Sequence, residues 1–126
     1  MSRPISPNEV AVVNWLLDHA LVEVAGYRDR PVEELRVVGG CGCGCSSIDF
    51  IPPQQQAKQQ MLADELALYP DGQQAGVMLW GKGGEIALLE VYDFEPGSSH
   101  RFPDVSHLCT WEELGRRSLR KSSTVE

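Results

Sequence analysis

Two apolar runs that alternate in the manner of strands, residues 75–80 and 86–94, are separated by Gly81-Lys82-Gly83-Gly84. A glycine-rich break between two such runs is the signature of a β-hairpin. Pro70-Asp71-Gly72 is a second turn signal just upstream, because proline presets one turn dihedral and glycine supplies the other. Residues 61–69 before it contain good helix formers. They also alternate, with Leu62, Leu66 and Leu68 sharing a face. Two hairpins in series favour a meander, so this segment is read as a strand.

One helix is legible at the N-terminus. Ser6-Pro7-Asn8-Glu9 predicts a capping box with proline at the first helical position. Val10, Val13, Leu17, Ala20 and Leu21 then recur at three- and four-residue steps, with Trp15 and Leu16 widening the stripe. Gly26 is the expected stop. His19 falls near the helix end, where a cation suits the dipole better than a catalytic role.

Between these pieces the pattern is shorter. Leu35, Val37 and Val38 predict a strand that Gly39-Gly40 breaks. The stretch from Cys43 to Ile51 alternates again, which turns Ile48 and Phe50 inward and Ser47 and Asp49 to the opposite face. Pro52-Pro53 ends it, and the glutamine-rich piece that follows is read as an exposed loop. Beyond Phe94 the chain reads as loops, with Thr110-Trp111-Glu112-Glu113 capping one short helical turn. The expected fold class is therefore α+β. An antiparallel sheet of about four or five strands carries one N-terminal amphipathic helix packed on one face. Residues 1–114 form a single domain, and residues 115–126 a frayed basic C-terminal tail.

Composition narrows the function classes. Hydrophobic residues make up 42% of the 126, enough to build a core without disulfide staples. No apolar run approaches the roughly 20 residues that cross a bilayer, and the N-terminus lacks an export pattern. A cytoplasmic location, reduced cysteines and no membrane association are expected. The formal net charge is −7, and residues 115–126 contribute +3, which leaves −10 on residues 1–114. Such a body repels phosphate backbones, which argues against nucleic acid. It attracts a basic protein partner, unless the charge serves solubility alone.

Cys41-Gly42-Cys43-Gly44-Cys45 is the candidate metal site, with His107 and Cys109 as completing ligands. Thiolates favour zinc or copper(I), although paired cysteines of structural zinc sites are usually two to four residues apart. On a regular strand Cys41 and Cys45 would be about 13 Å apart, whereas sulfurs sharing one zinc lie within roughly 4 Å. A common site requires Gly42 and Gly44 to curl the backbone. The plainer reading makes the cysteines small buried residues and the glycines a bulge. No cofactor is expected unless this cluster holds zinc. A cysteine–histidine enzyme would need His100 or His107 beside a thiol to lower its pKa. The glycine-rich stretches fail as phosphate cradles, since no Lys-Ser/Thr or opening helix follows them.

Asp49, Trp80, Glu90 and Tyr92 are the candidate binding residues. If the strands of Asp49 and Glu90 pair, two carboxylates face each other and one pKa rises. The plainer alternative is a polar sheet face. Trp80, Tyr92 and Phe94 either serve the core or, if exposed among acids, form a protein-binding patch.

Four segments resemble a group of small bacterial proteins of no assigned activity. They are Cys43-Gly44-Cys45-Ser46-Ser47-Ile48-Asp49-Phe50, Gly76-Val77-Met78-Leu79-Trp80, Leu88-Leu89-Glu90-Val91-Tyr92 and Phe102-Pro103-Asp104. The resemblance covers roughly residues 35–108, and includes neither Cys41 nor the N-terminal helix. It implies a bacterial cytosolic setting and carries over no catalytic residue. The functional expectation is a non-catalytic protein-interaction module, similar in general build to immunity proteins that neutralise basic toxins. The alternative is a zinc-binding protein using the cysteine cluster.

Overall fold

A computed structural model describes residues 2–40, 47–94 and 102–115. Helix α1 is Pro7–Asp18. The strands are β1 (Arg3–Pro4), β2 (Arg36–Val37), β3 (Gly39–Gly40), β4 (Ile48–Asp49), β5 (Gln60–Leu68), β6 (Gln74–Lys82), β7 (Glu85–Asp93) and β8 (Leu108–Cys109). β1 pairs with β2, and the other six form one antiparallel sheet in the order β3-β4-β7-β6-β5-β8. The fold is α+β with an N-terminal helix, as the patterning predicts. Three strands of nine residues make the body, and two-residue strands extend both edges beyond the expected four or five.

Residues 61–69 lie almost wholly in β5, so alternation outweighs their helix propensity. The β6–β7 hairpin turns on Gly83 and Gly84, whose φ values of 59° and 83° are positive at both central positions. Type I′ hairpin turns require that geometry, and its twist matches the flanking strands.

Three local expectations are corrected. The helix ends at Asp18, so Ala20 and Leu21 leave its stripe and Leu21 is 62% exposed. The Leu21 N–H donates to the Leu62 carbonyl on β5 at 2.8 Å, a tertiary bond that replaces another helical turn. Val12, Val13, Leu16 and Leu17 form the buried face instead. Second, Leu62 does not share a face with Leu66. The β5–β6 register shifts between Met61 and Ala63, and this bulge turns Leu62 into the core cluster while Leu66 stays outside it. Third, Gly39-Gly40 does not simply end a strand but pairs with β4.

The core lies between α1 and one face of the sheet. Val12, Val13, Leu16 and Leu17 cluster there with Ala63, Val77, Leu79, Leu89 and Val91. Each fully buried Leu or Val contributes roughly 1.5–3 kcal/mol of transfer free energy. Ile48 and Phe50 turn into this core, as expected. The predicted capping box is present: Glu9 N–H donates to Ser6 Oγ at 3.2 Å, and Ser6 N–H to Glu9 Oε1 at 2.8 Å. Arg3 donates to both Glu9 oxygens, at 2.8 and 2.6 Å, which ties β1 to the helix start. Asn8 binds the Pro103 carbonyl and the Val105 N–H, at 2.9 and 3.0 Å, and so fastens the chain entering β8. The short turn at Thr110 is also capped as predicted, with Glu113 N–H donating to Thr110 Oγ1 at 3.0 Å.

The Arg3 hydrogen bond, with help from Ser6 and against the opposing effect of burial, holds the Glu9 carboxyl below its ordinary 4.5. A depressed folded-state pKa makes the ionised form the stabilising one. Its contribution is complete above pH 4.5 and is lost as pH falls through the lower folded value. Glu9→Gln is predicted to cost about 1–2 kcal/mol at pH 7. The gap from the parent should narrow as urea unfolding is repeated towards pH 3. A gap independent of pH would contradict this.

Candidate functional site

Strand alternation gives the main sheet a second face, away from α1. β5 presents Met61, Asp64, Leu66 and Leu68 there; β6 presents Gly76, Met78 and Trp80; β7 presents Leu88, Glu90 and Tyr92. The register aligns them in rungs across the strands. Leu66, Gly76 and Tyr92 share one rung, Asp64, Met78 and Glu90 the next, and Met61, Trp80 and Leu88 a third. Most of these side chains are half-buried, so the face is apolar without being sealed.

Glycine at position 76 makes room for the Tyr92 ring, because a Cβ there would overlap it. A cross-strand ring laid over a glycine compensates for the missing side chain. Tyr92 meets Phe94 at a centroid distance of 5.6 Å, and Phe94 stacks on Trp111 at 5.8 Å. These three rings are 36%, 39% and 43% exposed, respectively. Large aromatics in water at this density mark a binding surface more often than a core.

Carboxylates punctuate the aromatics. Trp80 Nε1 donates to Glu90 Oε1 at 3.1 Å across β6 and β7. Asp64 Oδ1 is buried yet has no hydrogen-bond partner among the described residues. Burial first, then the negative fields of Asp64 and Glu90, push the Tyr92 phenol above its ordinary 10.0. At the strand edge, burial pushes the Glu65 carboxyl up, against a hydrogen bond from the Trp111 N–H at 3.1 Å. The six strands of the sheet contain the acids Asp49, Asp64, Glu65, Glu85, Glu90 and Asp93, with Lys82 as their one cation.

The sequence-predicted residues separate into three places. Trp80, Glu90 and Tyr92 come together on this face. Asp49 is buried at its border and accepts from Gln56 Nε2 at 2.9 Å, which fastens the glutamine loop. Its strand does pair with that of Glu90, but Asp49 stands opposite Leu88, so the two carboxylates are diagonal rather than facing. Cys109 is buried on β8, and the His107 ring lies 5.7 Å from Tyr69. β8 and β4 are at opposite sides of the sheet, four strand spacings or about 19 Å apart. The structure therefore does not bring His107 and Cys109 to the residues flanking the cysteine cluster. Cys41, Cys43, Cys45 and His100, and the tail from 116 on, lie outside the described residues. Among the described residues no three His, Cys, Asp or Glu side chains form a metal-binding group. Among them, too, no helix is long and apolar enough to cross a membrane. His19 stacks on Trp15 at 3.9 Å, with Nδ1 placed 2.7 Å from the Trp15 carbonyl oxygen, a bond that closes the helix end.

Sequence reasoning missed Asp64, Met78 and Trp111 as members of this face. Asp64 shares the unbroken alternation of Leu66 and Leu68, but which side of the sheet that parity faces depends on the register of β5 against β6. It also missed a cleft of about 210 Å³ lined by Tyr27, Leu35, Phe50 and Ile86, with Arg30 and Arg36 beside them. That volume is below the 300–1,000 Å³ usual for small-molecule sites. Compared with protein-family models, curated proteins and solved structures, the chain finds no match.

Gly76→Ala is predicted to displace the Tyr92 ring and to cost about 1–3 kcal/mol. The Tyr92 phenol, followed by ultraviolet titration, should then ionise closer to 10.0 than in the parent protein. An unchanged titration curve would contradict the placement of the ring.

Proposed function

We propose that the protein is a non-catalytic interaction module that docks a basic protein partner on the open face of its sheet, in a bacterial cytosolic setting. One observation carries this reading. Tyr92 is exposed beside Asp64 and Glu90 and continues through Phe94 to Trp111, two further exposed rings, on a sheet whose strands hold Lys82 as their single cation.

Physical chemistry supports the pairing of rings with acids. Exposed aromatics supply contact area at low conformational cost, because they have only two side-chain torsions. Acids around them favour cationic partners and reject acidic ones. The net charge of −7 adds long-range attraction for a basic partner, which raises the association rate at low salt. The general build of immunity proteins, small acidic bodies that neutralise basic toxins, fits the same pattern.

The test uses an amphipathic cationic peptide containing arginine, lysine and leucine, with an acidic peptide of the same leucine pattern as control. Calorimetry is predicted to show binding of the cationic peptide alone. Replacing Phe94 and Trp111 together by serine should weaken that binding at least tenfold with the fold intact by circular dichroism. Equal affinity of the parent and the double variant, or equal binding of both peptides, would overturn the reading.

A further inference from the structure

Resting on that docking reading, we infer that Asp64 and Glu90, with Met78 between them, form a seat for an arginine side chain of the partner. Asp64 pairs with Met78, and Met78 with Glu90, so the two carboxylates bracket one central residue from adjacent strands. Their Cα atoms are two strand spacings apart, about 9.6 Å. Both side chains project from the same face, and both charges act on Tyr92.

The seat has an unfilled acceptor. Asp64 Oδ1 is buried without a donor among the described residues. Burying an acceptor unpaired is unfavourable, and a donor arriving with the partner removes that penalty. Glu90 uses Oε1 on the Trp80 indole N–H, and its other oxygen accepts no hydrogen bond from the described residues. Glu90 therefore offers an oxygen directly, and the arriving side chain must uncover Asp64 Oδ1 before donating to it.

The surroundings select guanidinium over ammonium. Trp80 and Tyr92 stand on either side of the Asp64–Met78–Glu90 rung, one rung away in each direction. A planar, weakly hydrated guanidinium stacks on ring faces while its donors reach carboxylates in two directions. An ammonium is compact and strongly hydrated, so it gives up more hydration to enter the same half-buried place. Met78 supplies a polarizable floor that adapts to the flat cation.

The experiment measures binding of three peptides that differ at one central position, occupied by arginine, lysine or citrulline, the neutral isostere of arginine. The remaining positions carry the cationic amphipathic pattern. The parent protein is predicted to bind the arginine peptide at least tenfold tighter than the lysine peptide, and the citrulline peptide more weakly still. In Asp64→Asn the arginine-to-lysine ratio should fall towards one, with the Tm unchanged or raised, because the enclosed Oδ1 has no hydrogen bond to lose among the described residues. Replacing Phe94 and Trp111 by serine should weaken all three peptides and leave the ratio in place. An arginine-to-lysine ratio near one in the parent, or a ratio untouched by Asp64→Asn, overturns the arginine seat while leaving the docking face intact. Absence of binding by every peptide overturns both.

Discussion

β5, β6 and β7 are paired along almost their whole length, and that antiparallel register decides which side chains share a face. Because the side-chain period is two, each rung is committed to one side of the sheet. One side turns Ala63, Val77, Leu79, Leu89 and Val91 under α1. The other side is left with rings, thioethers, leucines and acids. The two register shifts lie close together, between Met61 and Ala63 and between Trp80 and Gly81. They allow Leu62 and Ile86 to enter the core at the end of the sheet where regular alternation would have turned them out.

The division of the two faces also separates the roles of the charges. Glu9 works inside the architecture, as the cap of α1 and the anchor of Arg3. Asp49 holds the glutamine loop through Gln56. Asp64 has no such task among the described residues, and Glu90 only a partial one. A carboxylate oxygen enclosed without a donor is costly to the folded state. Functional sites are where such costs are usually found. The docking proposal accounts for this one by supplying the missing donor from outside.

Much of the fold was legible where local chemistry is self-contained. The Ser6–Glu9 box, the glycine turn of the β6–β7 hairpin and the inward pair Ile48 and Phe50 follow from residues close in sequence. The helix end was not legible, because the bond from Leu21 to Leu62 joins residues more than forty positions apart. The Asp49–Glu90 geometry failed for a related reason: pairing of two strands can be expected from pattern, whereas their register depends on the whole sheet. The candidate site was legible in part. Trp80, Glu90 and Tyr92 could be singled out as a set, but Asp64 could not join them until the register of β5 against β6 was known. Trp111 enters only through its contact with Phe94.

The central claim is that the face opposite α1 is the working surface. A two-dimensional NMR map of backbone amide shifts, recorded while an arginine-containing cationic peptide is added to the intact chain, tests it most directly. The account predicts that the largest shifts fall at Asp64, Met78, Trp80, Glu90, Tyr92 and Phe94, with α1 unmoved. Shifts concentrated on α1, or around Tyr27 and Arg36 at the cleft, would contradict it.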